Sequence, residues 1–148
     1  MDLGLSEYGQ TWERQELLMK GILDQKMANQ ALPETERSVT PGYLLFVEHP
    51  PVYTLGKSGE KHNLLLSSTQ LADKKVSFYQ TNRGGDITFH GPGQLVGYPI
   101  LDLENFGMGL RQYIYSVEEA IIRALAQYGI VSSRDPEATG VWLDVGLP

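Results

Sequence analysis

The sequence predicts a two-layer α/β fold of the α+β kind, and three observations carry that prediction. Short runs of aromatic and aliphatic residues follow one another through the middle of the chain, each closed by Gly, Pro, Asn or Asp. Stretches in which apolar residues recur at helical spacing lie on either side of them. The strand-like runs come as a block instead of alternating singly with helices, which argues against a strict βαβ arrangement. At 148 residues the chain is long enough for one core and short for two, so a single domain over residues 1–148 is expected.

The first helix is expected from Ser6 to about Gln30. Tyr8, Trp12, Met19, Ile22, Leu23 and Met27 recur at steps compatible with one packed face, and Ser6 is a candidate N-cap. After a polar stretch, Tyr43 to Glu48 suits a buried strand, and His49-Pro50-Pro51 ends it, because proline donates no ladder hydrogen bond and holds its predecessor extended. That extended conformation is by itself a sufficient reason for His49. Val52 to Leu55 resumes as a strand before Gly56, and Lys57 to Ser68 reads as loop. Further strands are expected at Val76 to Gln80, Ile87 to Phe89, Leu95 to Leu101 and Gly140 to Leu143. Between the last two, Leu110, Tyr113, Val117, Ile121, Ala124, Leu125 and Tyr128 fall three or four apart, Glu119 is placed to pair with Arg123, and Gly129 stands where a helix would stop. Trp12 and Trp142 are expected in the core. No internal repeat is evident.

Composition narrows the partners. A net charge of −6, with six Lys and six Arg scattered and no basic block, gives no attraction for nucleic acid or an anionic membrane. The longest apolar run, Leu44 to Val47, is far below a bilayer span, and the N-terminus lacks the pattern of a secretory signal, so a cytoplasmic protein is expected. With no cysteine there is no disulfide framework, no thiolate metal site and no cysteine nucleophile within these residues. The three histidines, His49, His62 and His90, lie far apart in sequence without metal-ligand spacing, so neither metal nor cofactor is expected.

The segment Arg83 to Leu103, RGGDITFHGPGQLVGYPILDL, is dense in Gly and Pro where a sheet would otherwise continue. Paired glycines allow a turn at positive φ and bring bare N–H groups close to a ligand, as in loops that polarise a carbonyl or cradle an anion, and Arg83 adds a fixed charge beside them. In a strand, Thr88 and His90 would share one face and Ile87 and Phe89 the other, which makes one face polar. The same residues also read as a glycine-rich hairpin with a surface arginine and a histidine bonded to backbone, since Gly-Gly and Gly-Pro are turn signals first. The residues alone leave both readings open.

LLFVEHPPVYTLGKSG (Leu44 to Gly59), RGGDITFHGPGQLVGYPILDL and TGVWL (Thr139 to Leu143), taken in order, resemble the lipoyl(octanoyl) transferase family. The specific element is RGG, a three-residue spacer that includes Thr, then an aromatic residue and HGPGQL. The resemblance implies a mixed sheet with packed helices similar to the catalytic domain of the biotin and lipoate protein ligases. It also implies an activity, the movement of octanoyl from octanoyl-acyl carrier protein to a lysine. The acceptors so implied are the lipoyl domains of 2-oxoacid dehydrogenase E2 subunits and the glycine cleavage H protein. It places Arg83, Gly84, Gly85, Asp86, Ile87, Thr88, Phe89 and His90 in substrate binding. The chemistry it implies runs through a cysteine thioester assisted by a lysine, both downstream of the GVWL-like strand. There is no cysteine here and the last lysine is Lys75, so no catalytic residue is assigned and the chain is expected to represent the N-terminal two-thirds or so of the family's length. Two alternatives accompany this reading: an ATP-dependent lipoate or biotin protein ligase, and a fragment that binds an acyl group without catalysis.

Overall fold

The computed structural model describes residues 1–144. The chain divides into two compact units, Met1–Leu101 and Asp102–Pro148.

In the first unit the apolar runs become strands where the sequence places them. β2 (Tyr43–Glu48) alternates, with Leu45 and Val47 buried and Leu44, Phe46 and Glu48 exposed, the period-2 pattern of a strand with one covered face. It pairs in parallel with β1 (Asp2–Leu5) and antiparallel with β6 (Val96–Ile100), giving a mixed three-stranded sheet. β1 was not anticipated. Met1, just before it, is tied down by its terminal ammonium, which donates to Leu44 O at 2.7 Å, and Ser6, just after it, by its N–H, which donates to Glu48 O at 2.9 Å. A second mixed sheet has β3 (Val52–Leu55) at its centre, parallel to β4 (Ser77–Gln80) and antiparallel to β5 (Ile87–His90). One core cluster of the unit is Ile22, Leu45 and Ile100, with Leu3, Leu18, Tyr43 and Tyr98 packed around it, and Val47, Val52 and Leu55 are buried as well.

α1 (Tyr8–Gln30) lies against this core on only part of the stripe expected, with Ile22 buried and Tyr8 and Trp12 half-buried. Thr11 and Ile22 are the buried positions, with Leu18 part-buried between them, whereas Met19, Leu23 and Met27 are more than half exposed. The sequence carries apolar residues on more than one face of this helix, so spacing alone cannot say which face is covered. Ser6 is not the cap. Glu7 holds that position without a side-chain cap bond, and Ser6 Oγ instead accepts from the Thr11 hydroxyl at 3.1 Å. A short helix also missed, α2 (Ser68–Asp73), begins at a full capping box: Gln70 N donates to Ser67 Oγ and Ser67 N to Gln70 Oε1.

The second unit contains α3 (Leu110–Gln127) and a hairpin of β7 (Ser133–Arg134) and β8 (Val141–Trp142). Gly129 follows the helix at φ +72°, the left-handed stop that its position suggested. The anticipated pair forms, with Arg123 Nε donating to Glu119 Oε1 at 2.8 Å. Arg134 adds a clamp: Nε meets Glu118 Oε2 at 3.1 Å, Nη2 meets Glu119 Oε2 at 3.0 Å, and the guanidinium lies 3.7 Å over the Tyr115 ring. The arginines, Arg123 first, hold the Glu119 carboxyl below the usual carboxylate range. Trp142, expected in the core, is 44% exposed, and its indole N–H donates to Ala138 O at 3.2 Å.

Among the described residues no helix is long and apolar enough to cross a membrane.

Candidate functional site

The glycine-rich segment is built against β3. Thr54 is completely buried at the middle of that strand, paired with Tyr79 on one side and Thr88 on the other. Its hydroxyl accepts from Arg83 Nε at 3.2 Å and Nη2 at 2.9 Å, and its carbonyl accepts from Nη2 at 2.8 Å. The same guanidinium donates to Gly84 O and Asp86 O, both at 2.9 Å. Arg83 therefore directs most of its fixed fork of donors at its own loop and at the strand beneath it, which makes it the fastening of the loop.

The loop closes over Gly56 for want of a side chain there. A Cβ on Gly56 would meet the carbonyl oxygens of Gly85, Gly84 and Arg83, and those of Arg83 and Asp86 accept from Lys57 N and Gly56 N at 2.9 and 3.1 Å. Gly85 sits at φ +80°, where a Cβ is strained, while Gly84 needs no such conformation. With the loop carbonyls so engaged, the exposed N–H groups of Gly84 and Gly85 have no hydrogen-bond partner among the described residues. Asp86 accepts from Asn63 Nδ2 at 2.5 Å, which ties in the 61–63 turn.

β5 then divides its residues by face. Thr88 and His90 pair with Thr54 and Val52, and Ile87 and Phe89 with Leu55 and Tyr53. Phe89 packs on Tyr53 with ring centroids 4.9 Å apart. His90 lies in a ring cluster drawn from several parts of the unit: Tyr8 from α1, His49 after β2, Tyr79 from β4 and Tyr98 from β6. Tyr8 stands 5.1 Å from Tyr79, 5.3 Å from His49 and 6.4 Å from His90, and His49 is 6.0 Å from both His90 and Tyr98. His90 Nδ1 is 2.6 Å from Gln94 Oε1, an acceptor, so that nitrogen carries the hydrogen.

The predicted segment thus falls into two places. Arg83 to Asp86 form the fastened loop, and Thr88 and His90 share the polar face with Tyr79 and Tyr8. Sequence reasoning missed Tyr8, Tyr79 and Tyr98 and gave His49 only a backbone reason. His49 is in fact fully buried and hydrogen-bonded at both ring nitrogens. A buried polar ring beside two prolines leaves no periodic signal, because its partners lie some 43 and 49 positions away.

Burial pushes the His49 imidazole below its ordinary pKa; the Ser6 carbonyl opposes this, His90 adds to it, and Glu7 opposes it least. The unfolded chain then takes up a proton at His49 below about pH 6.5 that the folded chain refuses. Stability should fall as pH drops through that value, until the depressed folded pKa is reached. Urea midpoints between about pH 7 and 5 check this: His49→Asn should show a shallower decline than the wild type.

Comparison with known proteins supplies the remaining observation. The sequence profile described as the lipoyl protein ligase A/B catalytic domain matches residues 8–146. The chain belongs to that family. Among relatives of the lipoyl protein ligase A/B family, the octanoyltransferase of Flavobacterium psychrophilum is 56% identical over 147 residues, 99% of this chain and 62% of that protein. The octanoyltransferase of Christiangramia forsetii is 53% identical with the same coverage. The chain spans 62% of the length of these relatives. Among solved structures, a putative lipoate protein ligase from T. acidophilum superposes with a TM-score of 0.52 at 14% identity, covering 92% of this chain and 50% of that one. Lipoate-protein ligase A bound with ATP gives 0.53 at 14% identity, covering 100% and 51%. At that identity the likeness concerns the fold, and it agrees with the α/β class and the lipoate-ligase type expected from the sequence. Among the described residues, no cluster of three His, Cys, Asp or Glu side chains is placed to hold a metal ion.

Proposed function

We propose that this chain serves the transfer of an octanoyl group from octanoyl-acyl carrier protein to a lysine of lipoyl domains, in the cytoplasm, and that Arg83 to His90 form its acyl-binding wall. The observation that carries the reading is the fastened loop: Arg83 holds it on Thr54, and the exposed N–H groups of Gly84 and Gly85 remain unengaged among the described residues. Such donors stabilise charge on a thioester carbonyl oxygen better than water does, because they are already oriented. His90 is a second polar group on the strand that leaves the loop. Asp86 fixes the turn, Thr88 lies on the polar face, and Ile87 and Phe89 supply apolar surface on the other. The relatives at 53% and 56% identity bear the octanoyltransferase name, which favours transfer over ATP-dependent ligation.

The covalent step that the family resemblance implies needs a cysteine, and these 148 residues contain none. The reading therefore assigns them acyl binding and carbonyl polarisation, not the nucleophile. The carrier protein and the acceptors, the lipoyl domains of 2-oxoacid dehydrogenase E2 subunits and the glycine cleavage H protein, are partners in this reading. Lys57, Lys61 and Arg83, in or beside the fastened loop, are the cations from which docking of an acidic carrier would have to draw.

Titration with octanoyl-acyl carrier protein tests the proposal. Binding should saturate, weaken with added salt, and exceed that of the carrier without its acyl group; His90→Ala should narrow that difference. Equal affinity for acylated and unacylated carrier would remove the acyl site from these residues.

A further inference from the structure

His49 has no exposed surface, yet it joins segments that are distant in sequence. Its Nδ1 lies 2.7 Å from Ser6 O, just ahead of α1, and its Nε2 lies 3.0 Å from Tyr98 Oη on β6. A carbonyl oxygen has no proton to give, so Nδ1 carries the hydrogen and Nε2 accepts from the Tyr98 hydroxyl. The ring is thereby held in one tautomer and one orientation. Around it Tyr8, His49 and His90 form a closed triangle with centroid distances of 5.3, 6.0 and 6.4 Å.

We propose that His49 is a positioning residue for the acyl site: fastened by Ser6 and Tyr98, it sets where the Tyr8 and His90 rings stand. This rests on the assignment of His90 to that site. The arrangement works with a neutral His49 alone. An imidazolium donates from both nitrogens, so a proton on Nε2 would force Tyr98 to turn its hydroxyl from donor to acceptor inside a closed cluster. It would also bring a positive charge beside His90. The groups that face His49 are Glu7 and Tyr8 at the start of α1, His90 on β5 and Tyr98 on β6. Glu7 favours the added proton and His90 opposes it. Tyr8 in turn faces Tyr79 and the Arg83 charge, which links the triangle to the fastened loop.

The test is Tyr98→Phe, which keeps the ring and removes the one hydroxyl. Imidazole nitrogen signals of the 148-residue chain, followed across pH by NMR, read the tautomer and protonation of His49 and His90 without any substrate. In the wild type His49 should be the neutral Nδ1–H form and should protonate below the ordinary histidine value. In Tyr98→Phe its midpoint should rise, the ring signals of His90 should move, and affinity for octanoyl-acyl carrier protein should drop about tenfold with its optimum moved to higher pH. His49→Asn keeps a donor for Ser6 but cannot ionise, so it should weaken binding with no such displacement. A purely structural hydroxyl would lower thermal stability at every pH and leave the His49 titration and the His90 ring signals in place, which would overturn the proposal. So would wild-type affinity in His49→Asn at every pH. If the His90 ring signals follow the His49 titration but octanoyl is not bound at any pH, the acyl assignment fails while the positioning of His90 by His49 stands.

Discussion

Gly56→Ala is expected to lower stability by about 3 kcal/mol, a large effect for one methyl group. The added Cβ would stand 2.8 Å from Gly84 O and 3.0 Å from Arg83 O, and closer still to Gly85 O. All three are backbone atoms that cannot rotate away as the end of a side chain can. Relief requires lifting the loop, which breaks the bonds from Gly56 N and Lys57 N, or displacing the end of β3, whose Leu55 is completely buried. Gly84→Ala is the internal control. No heavy atom lies within 4 Å of its Cβ and its φ is not positive, so its cost should stay within about 0.5 kcal/mol. Urea denaturation of the two variants beside the wild type gives the answer. Equal midpoints for both would show that the close approach at Gly56 does not hold the loop.

Arg83→Met should have a comparable effect on stability and a larger one on binding. The substitution deletes charge-assisted hydrogen bonds to Thr54 Oγ1, Thr54 O, Gly84 O and Asp86 O, and leaves the acceptors of a fully buried threonine unanswered. Such losses amount to about 3 kcal/mol. With the loop unfastened, the Gly84 and Gly85 donors lose their fixed direction, and affinity for octanoyl-acyl carrier protein should fall about a hundredfold. Arg83→Lys is the informative companion. It keeps the charge, but one nitrogen cannot reach acceptors spread across the strand and both sides of the loop, so most of the loss should remain. A lysine variant as stable and as tight-binding as the wild type would mean that charge, not the planar fork, is what the loop requires.

The ease with which the fold could be read follows the physics of each element. β2 and β3 were placed to the residue, because a buried strand leaves its composition and its bounding prolines and glycine in local sequence. α3 was equally plain, since its single apolar stripe ends at a glycine. α1 was found but its buried face only in part: Ile22 was placed correctly, while Met19, Leu23 and Met27 carry the same signal and are exposed. β1 has only four residues, including two glycine-adjacent leucines, and exists through pairing with β2, which no local pattern records. The site divides in the same way. Turn chemistry announced the loop at Arg83 to Asp86, whereas the contacts of Arg83 with Thr54 and of His49 with Ser6 and Tyr98 span 29, 43 and 49 positions and belong to the tertiary structure.

The placement of the two tryptophans has a spectroscopic consequence. One stands in each compact unit: Trp12 in α1, its ring 6.1 Å from Tyr8, and Trp142 in β8, 44% exposed. Trp142→Phe would leave an emitter whose tyrosine neighbour faces His49, so its quantum yield becomes an optical gauge of the ring cluster. Trp12→Phe would leave a red-shifted emitter that follows α3 and its hairpin. The two colours turn a single fluorescence melt into separate records of each unit.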